Sequence, residues 1–375
     1  MPAFCCMVWC FPLLCFPIAI ADPVPDEQSR LSPCSGSSSS SCRHRALHAS
    51  STDGQLLHYA NNTHIEEDNN FFWFIKKYHR KYQPGSQIFQ EKYQLYLKSL
   101  ERHKYLNSFA YSSSTSMDAH YGINQFSDLP VDEFISTYLK SYPRRYQTYV
   151  KTIKSSTSEG SLPLRFDWRD KNVVMRVKNQ MNCGACWAFS VVGAVESAYA
   201  IKGHQPLELS VQQVIDCSYM DGGCNGGSTV SALKWLNQTQ TKLVHASEYA
   251  FKAKDGFCHY FPCTEFGVSI KGYEAYDFSY CEEEMMKNLI NFGPLAVIVD
   301  AVSWQDYLGG VIQHHCSSGH PNHAVLVIGY DKTGDIPYWI VQNSWGTLWG
   351  AEGYVFIKMG ENICGIADFV SFPLM

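Results

Sequence analysis

Residues 162–375 form one dense stretch that changes period partway along, and this change constrains the fold more than any other feature. The first part reads as helices. Residues 186–202 carry apolar side chains at Phe189, Val192, Val195 and Tyr199, and Gly203 follows as a stop. Ser210-Val211-Gln212-Gln213 has the pattern of a capping box and opens a second helix, and residues 228–236 make a third. The later part reads as short strands at 295–299, 324–330, 338–342 and 354–358. Turn clusters such as Asp331-Lys332-Thr333-Gly334-Asp335 separate them. A helical block followed by a strand block implies an α+β domain of two lobes with a cleft between them.

The preceding residues divide by composition. Residues 3–21 are nearly all apolar and end in Ala19-Ile20-Ala21 before Asp22, a small-x-small cleavage pattern. No Lys or Arg precedes the run, yet Pro12 and Pro17 suit a spanning helix poorly, so a secretory signal at 1–21 is preferred. Removing it removes Cys5, Cys6, Cys10 and Cys15, and an oxidising compartment predicts that other cysteines pair. Residues 22–68 are poor in apolar side chains and hold the run Ser37 to Ser41, which reads as a low-complexity spacer. Cys34 and Cys42 could pair within it, and Asn61 begins a glycosylation sequon. In 69–161, residues 71–78 read as a short helix broken at Pro84-Gly85. An amphipathic helix follows at 89–109 with Tyr93, Tyr96, Leu97, Leu100 and Leu106 on one face, then a polar segment with Ser112 to Ser116 and a strand at 121–126. Residues 141–161 read as an exposed linker. With 45% hydrophobic and 17% charged residues the chain is no disordered, collagenous or coiled-coil protein, and a net charge of -5 offers no basic excess for nucleic acid.

The sharpest local pattern is the decapeptide from Gln180 to Phe189, which contains Cys183-Gly184-Ala185-Cys186. A redox dithiol would need a thioredoxin-like strand–helix unit, which the pattern lacks. A zinc site would need Cys217 and Cys224 as a second close pair, and their spacing is loose. The third reading makes Cys183 structural and Cys186 a nucleophile, with His323 and Asn343 far downstream as partners. Cys186 would start a helix, whose dipole favours the thiolate, as would an adjacent imidazolium. His323 opens an apolar strand and can supply that imidazolium and return its proton to a leaving amine. The Asn343 carbonyl can orient the imidazole, and Trp345 can shelter that bond. Gln180 offers an amide donor that, with the backbone N–H of Cys186, would form an oxyanion hole. The adjacent His314 and His315 read as an ordinary loop pair, because no further ligand spacing supports a metal.

Residues 162–375 resemble the papain family of cysteine proteases. The likeness rests on Phe166-Asp167-Trp168-Arg169, the Cys186 decapeptide, Cys224-Asn225-Gly226-Gly227, Gly293-Pro294, Asn322-His323-Ala324 and Asn343-Ser344-Trp345-Gly346. Stretches 190–199, 303–310 and 364–368 carry a closer likeness to one member. The resemblance implies a papain-like fold with a helical N-terminal lobe, a β-barrel-like C-terminal lobe and the active-site cleft between them. It implies disulfides Cys183–Cys224, Cys217–Cys258 and Cys316–Cys364, leaving Cys263 and Cys281 as an open extra pair. Gly184, Gly226, Gly227 and Trp345 would bind substrate, with the two glycines bonding an extended peptide in antiparallel fashion. Phe369 would floor the main specificity pocket and favour modest aliphatic side chains over charge.

Residues 69–161 then read as a helical inhibitory propeptide, since Gly122, Asn124, Phe126 and Asp128 match the family's G-x-N-x-F-x-D motif in full. The upstream helix motif is degraded, with Ile88 and Lys92 where Glu and Arg are expected and Asn107 in place. Protonation of Asp128 offers a route to acid activation. The implied protein is a lysosomal endopeptidase that arrives by the secretory pathway, with secretion as the other destination. It would act as a monomer without cofactor or metal, on protein and peptide substrates, and its inhibitors would be its own propeptide and cystatin-type proteins. Asn237 begins a second sequon. The competing class is a catalytically silent binding homologue. Such proteins lose the nucleophile or the histidine, and this chain keeps all four catalytic positions.

Overall fold

The computed structural model describes residues 68–109, 117–143, 161–259 and 267–375 of the chain. The signal at 1–21, nearly all of the 22–68 spacer with Cys34, Cys42 and Asn61, the segment 110–116, the linker residues 144–160 and Cys263 lie outside them.

The N-terminal arm begins with helix α1, described at 68–77, and continues with α2, Gln87–Asn107. Ser86 caps α2 by accepting from the Phe89 N–H at 3.2 Å. Phe71 and Phe74 of α1 close on Tyr96 of α2 in a small aromatic core of the arm's own. The expected strand at 121–126 is confined to β1, His120–Tyr121. Asn124 is the reason: its Oδ1 accepts from the Phe126 N–H at 2.8 Å and its carbonyl from Ser127 at 3.1 Å, which folds the chain into a turn. Helix α3, Val131–Tyr138, starts after Pro130 with Asp132 and Glu133 in its first turn, as the helix dipole favours.

The body follows with β2 (Arg165–Asp167) and α4 (Cys186–Ile201). Helix α4 is apolar almost all round and is accordingly buried on nearly every side, packing against α5 (Val211–Cys217) and α6 (Thr229–Thr239). The capping box at Ser210 is half realised. Ser210 Oγ accepts from the Gln213 N–H, but the Gln213 side chain turns to Lys242 and Val244 instead of reaching back.

The second lobe is a sheet. After β3 (Gly272–Tyr276) and α7 (Glu282–Phe292) come β4 (Leu295–Val299), β5 (Tyr307–Gly309), β6 (Val311–Ile312), β7 (His323–Asp331), β8 (Tyr338–Gln342), β9 (Tyr354–Lys358) and β10 (Val370–Leu374). Its order is β3-β10-β4-β7-β8-β9-β6, with β2 on β7. The expected barrel-like closure is absent among the described residues. The end strands do not meet because each faces another element. Strand β3 lies against α6, and β6 exchanges backbone bonds with Met117 and Ala119 of the arm. The three implied disulfides are all present. Cys281 keeps a free, exposed thiol. No helix among the described residues is long and apolar enough to cross a membrane.

Candidate active site

Cys186, His323 and Asn343 each stand at the end of a secondary-structure element. Cys186 is the first residue of α4, so its N–H has no intrahelical acceptor. His323 is the first residue of β7 and is held in register opposite Val299 of β4. Asn343 follows the end of β8. All three are buried.

The hydrogen bonds fix the imidazole tautomer. Asn343 Oδ1 accepts from the Ser344 N–H at 2.8 Å, which identifies it as the amide oxygen. His323 Nε2 lies 2.8 Å from the same atom, so Nε2 carries the proton and Nδ1 has a bare lone pair in the neutral ring. Trp345 stacks on the imidazole with centroids 4.6 Å apart at 29°. Gln180 is locked from both ends. Its N–H donates to the Ser344 carbonyl, and its Oε1 accepts from Ser344 Oγ, each at 2.7 Å. Its Nε2 is thereby aimed at the Cys183 carbonyl at 3.0 Å and the Tyr138 carbonyl of the arm at 3.2 Å. Ser344, which sequence reasoning did not single out, is therefore what orients the Gln180 amide. Its place between Asn343 and Trp345 was the available signal.

The arm crosses the line of these residues. Phe126, Phe134 and Tyr138 pack edge-on against Trp345, with centroids 5.3 to 6.3 Å away. Ser141 then forms a parallel bridge with Gly227: the Gly227 N–H donates to Lys140 O and the Tyr142 N–H to Gly227 O, both at 3.0 Å. A Cβ on Gly184 would stand 2.5 Å from Lys140 Cγ and from Cys224 O. Gly226 has φ +119°, and a Cβ there would stand 2.5 Å from Lys140 O. Glycine at both positions is what lets a backbone lie this close. Phe369 lines a small pocket with Val230, Ala275 and Ile298, and Pro143 of the arm stands at it. Nothing local in the sequence points to Val230, Ala275 and Ile298, which reach the pocket from separate elements.

Burial under the arm sets the protonation states. It pushes the Cys186 thiol up, against the opposing pull of backbone groups at Ala324 and Lys140. It pushes His323 down to about 4, although its bond to Asn343 and the nearby Tyr138 backbone favour the charged ring. The thiolate–imidazolium pair expected from the helix dipole is thus disfavoured while the arm is in place. The pair His314–His315 lies in the loop between β6 and β7, as the loop reading has it. His315 adopts φ +71° and faces Phe109, Tyr105 and Tyr121 of the arm, with centroids 4.6 to 6.1 Å apart. The sequon at Asn237 lies near the end of α6.

Residues 162–374 match the sequence profile of the papain family cysteine proteases. Cathepsin O from Homo sapiens is 64% identical over 274 residues, covering 73% of this chain and 85% of the relative. Cathepsin O from Mus musculus is 57% identical over 281 residues, covering 73% and 87%. Among solved structures, digestive procathepsin L2 proteinase from Tenebrio molitor larval midgut superposes with a TM-score of 0.75 at 30% identity, over 82% of this chain and all of that one. A recombinant stem bromelain precursor gives 0.71 at 32% identity, over 83% and 99%.

Proposed function

Because the chain belongs to the papain family of cysteine proteases, and is a cysteine-type endopeptidase, we propose a division of labour among its residues. Cys186 Sγ passes its proton to His323 Nδ1 and, as the thiolate, attacks the scissile carbonyl carbon. The carbonyl oxygen, as it gains charge, is held by Gln180 Nε2 and the Cys186 N–H. His323 gives its Nδ1 proton to the departing amine and leaves a thioester on Cys186. Water then attacks the thioester while His323 Nδ1 takes its proton, and the acid product departs. Asn343 keeps Nε2 protonated throughout, and Trp345 keeps water from that bond. The observation that carries this reading is the tautomer-fixing bond from His323 Nε2 to Asn343 Oδ1.

Residues 69–161 act as the inhibitory propeptide of a zymogen, ahead of a peptidase domain at 162–375, a signal at 1–21 and a spacer at 22–68. The direction of the bridge at Gly227 supports this. A substrate would run antiparallel there, while the arm runs parallel and so presents its peptides to Cys186 in reverse. Phe369 shortens the pocket beside it, so the preferred side chain is a modest aliphatic one. The compartment is the lysosome, reached by the secretory pathway with glycans at Asn61 and Asn237. The working form is a monomer open to cystatin-type inhibitors.

The test is active-site titration of acid-processed protein with an epoxysuccinyl thiol-trapping inhibitor, followed by peptide mapping. Stoichiometric labelling of Cys186 and a new N-terminus near Leu162 are expected. Absence of labelling with disulfides intact would return the chain to the silent binding class.

A further inference from the structure

One fully buried carboxylate of the peptidase domain finds no partner among the described residues of that domain. Asp306 closes the 3-10 turn Val302–Asp306 beneath the arm and is 0% exposed. Arg102 of α2 holds it with two parallel bonds, Nε to Oδ2 and Nη2 to Oδ1, the latter at 2.9 Å. His103 Nε2 lies 3.0 Å from Oδ1. These are the only bonds to the carboxylate among the described residues, and all come from the arm. The backbone around it is engaged in the same way. The Gly122 N–H donates to Asp306 O at 2.9 Å, Asn124 Nδ2 to Gln305 O at 2.8 Å, and Gln305 Nε2 to Leu129 O at 2.8 Å. Tyr307 pairs with Tyr121 across β5 and β1.

We propose that this surface, with Asp306 at its centre, is a charge-selective docking site for a helix that presents Arg followed by His, and that it is how the peptidase domain recognises its own arm. The inference rests on the inhibitory reading above and deepens it. A carboxylate can remain ionised in an apolar setting only when matched by a cation with good geometry, and removing one partner of such a pair is far more costly than losing an exposed ion pair. A bidentate guanidinium supplies that match, and a lysine cannot reproduce its fork. An arm with apolar residues at 102 and 103 would bury Asp306 without a partner and be rejected. Recognition at Asp306 is separate from the blockade itself, which is made at Gln180, Cys186 and Gly227.

The test uses the full uncleaved chain at neutral pH, with short pulses of a small thiol reagent and mass mapping of Cys186. Wild type should label far more slowly than processed enzyme. Arg102→Gln and Asp306→Asn should each speed labelling by roughly 30-fold or more, the lower end of what truncating a buried charge pair does. The double variant should be no faster than the faster single variant, because both remove one interaction. Arg102→Gln leaves the peptidase domain unaltered, so it decides the matter even where Asp306→Asn folds poorly. A protected wild type with an equally protected Arg102→Gln chain would overturn the docking site while leaving the inhibitory reading intact. A wild type that labels as fast as processed enzyme would overturn the inhibitory reading and the docking site with it.

Discussion

Acid should lift the arm through His323 itself. In the covered state burial holds the imidazole down to about 4, against an ordinary value near 6.5 when it meets water. The covered state therefore binds fewer protons between these limits, and protons favour the uncovered one. The stabilisation of the closed form is fully present above pH 6.5 and is lost as the pH falls toward 4. A single site with these two values weakens closure about 10-fold at pH 5.5 and about 80-fold at pH 4.5, or ~2.6 kcal/mol at the lower pH. A thiolate beside the uncovered ring would raise its pKa and widen the window upward. The measurement is hydrogen exchange of the Ser141 and Tyr142 amides, which donate to Asn322 O and Gly227 O in the closed form. A Cys186→Ala full-length chain prevents self-cleavage, and rates are corrected for intrinsic exchange. Protection should fall by about 40-fold between pH 6.5 and 4.5 and should stay flat in the same chain carrying His323→Gln. Equal pH dependence with and without His323, or none in either, would refute the argument.

Three further outcomes follow from the geometry. Asn343→Ala frees the imidazole to rotate and to carry its proton on the wrong nitrogen, so kcat should fall by on the order of 10- to 1,000-fold with KM little changed, as steady-state kinetics on processed enzyme would show. Phe369→Ala opens the floor of its pocket, and the ratio of kcat/KM for a phenylalanyl over a valyl peptide should rise by about 10-fold in a matched substrate pair. Replacing Cys217 and Cys258 by serine opens a loop spanning 41 residues in the helical lobe. It should lower stability by up to about 4 kcal/mol in denaturant unfolding while Cys186 still labels stoichiometrically.

The contacts of Asp128, which the sequence offered for an acid route, lie within the arm: its carboxylate meets Arg80 at 2.8 Å and Tyr82 at 2.6 Å. The sequence shows charges but not their partners. Asp306 and Arg102 lie 204 positions apart, and nothing local distinguishes them from solvated residues. The helix opening at Cys186 and the strands 295–299, 338–342 and 354–358 were legible because period and stop signals are local. Strand β10 was not, for Pro373 argues against a strand within a sheet. It is tolerated because β4 pairs only with Val370 and Ser371, so Pro373 lies beyond that ladder. Helix α7 was missed because its first turn is Glu282, Glu283 and Glu284, and its apolar face appears only afterwards. Cys186, His323 and Asn343 were legible as candidates because each sits at the end of an element with its own signature. The parallel course of the arm across Gly227 was not, since strand direction leaves no mark on composition.

The indole of Trp345 gives the molecule an optical readout of its own state. It is wholly buried, stacked on His323 from one side and met by Phe126, Phe134 and Tyr138 on another. Departure of the arm exchanges those three rings for water while leaving the imidazole in place. Emission should then move to longer wavelength as the cleft opens, and a charged imidazolium beneath the ring should quench it. Uncovering and protonation would then be visible as two separate changes in the light from one residue, without any added dye.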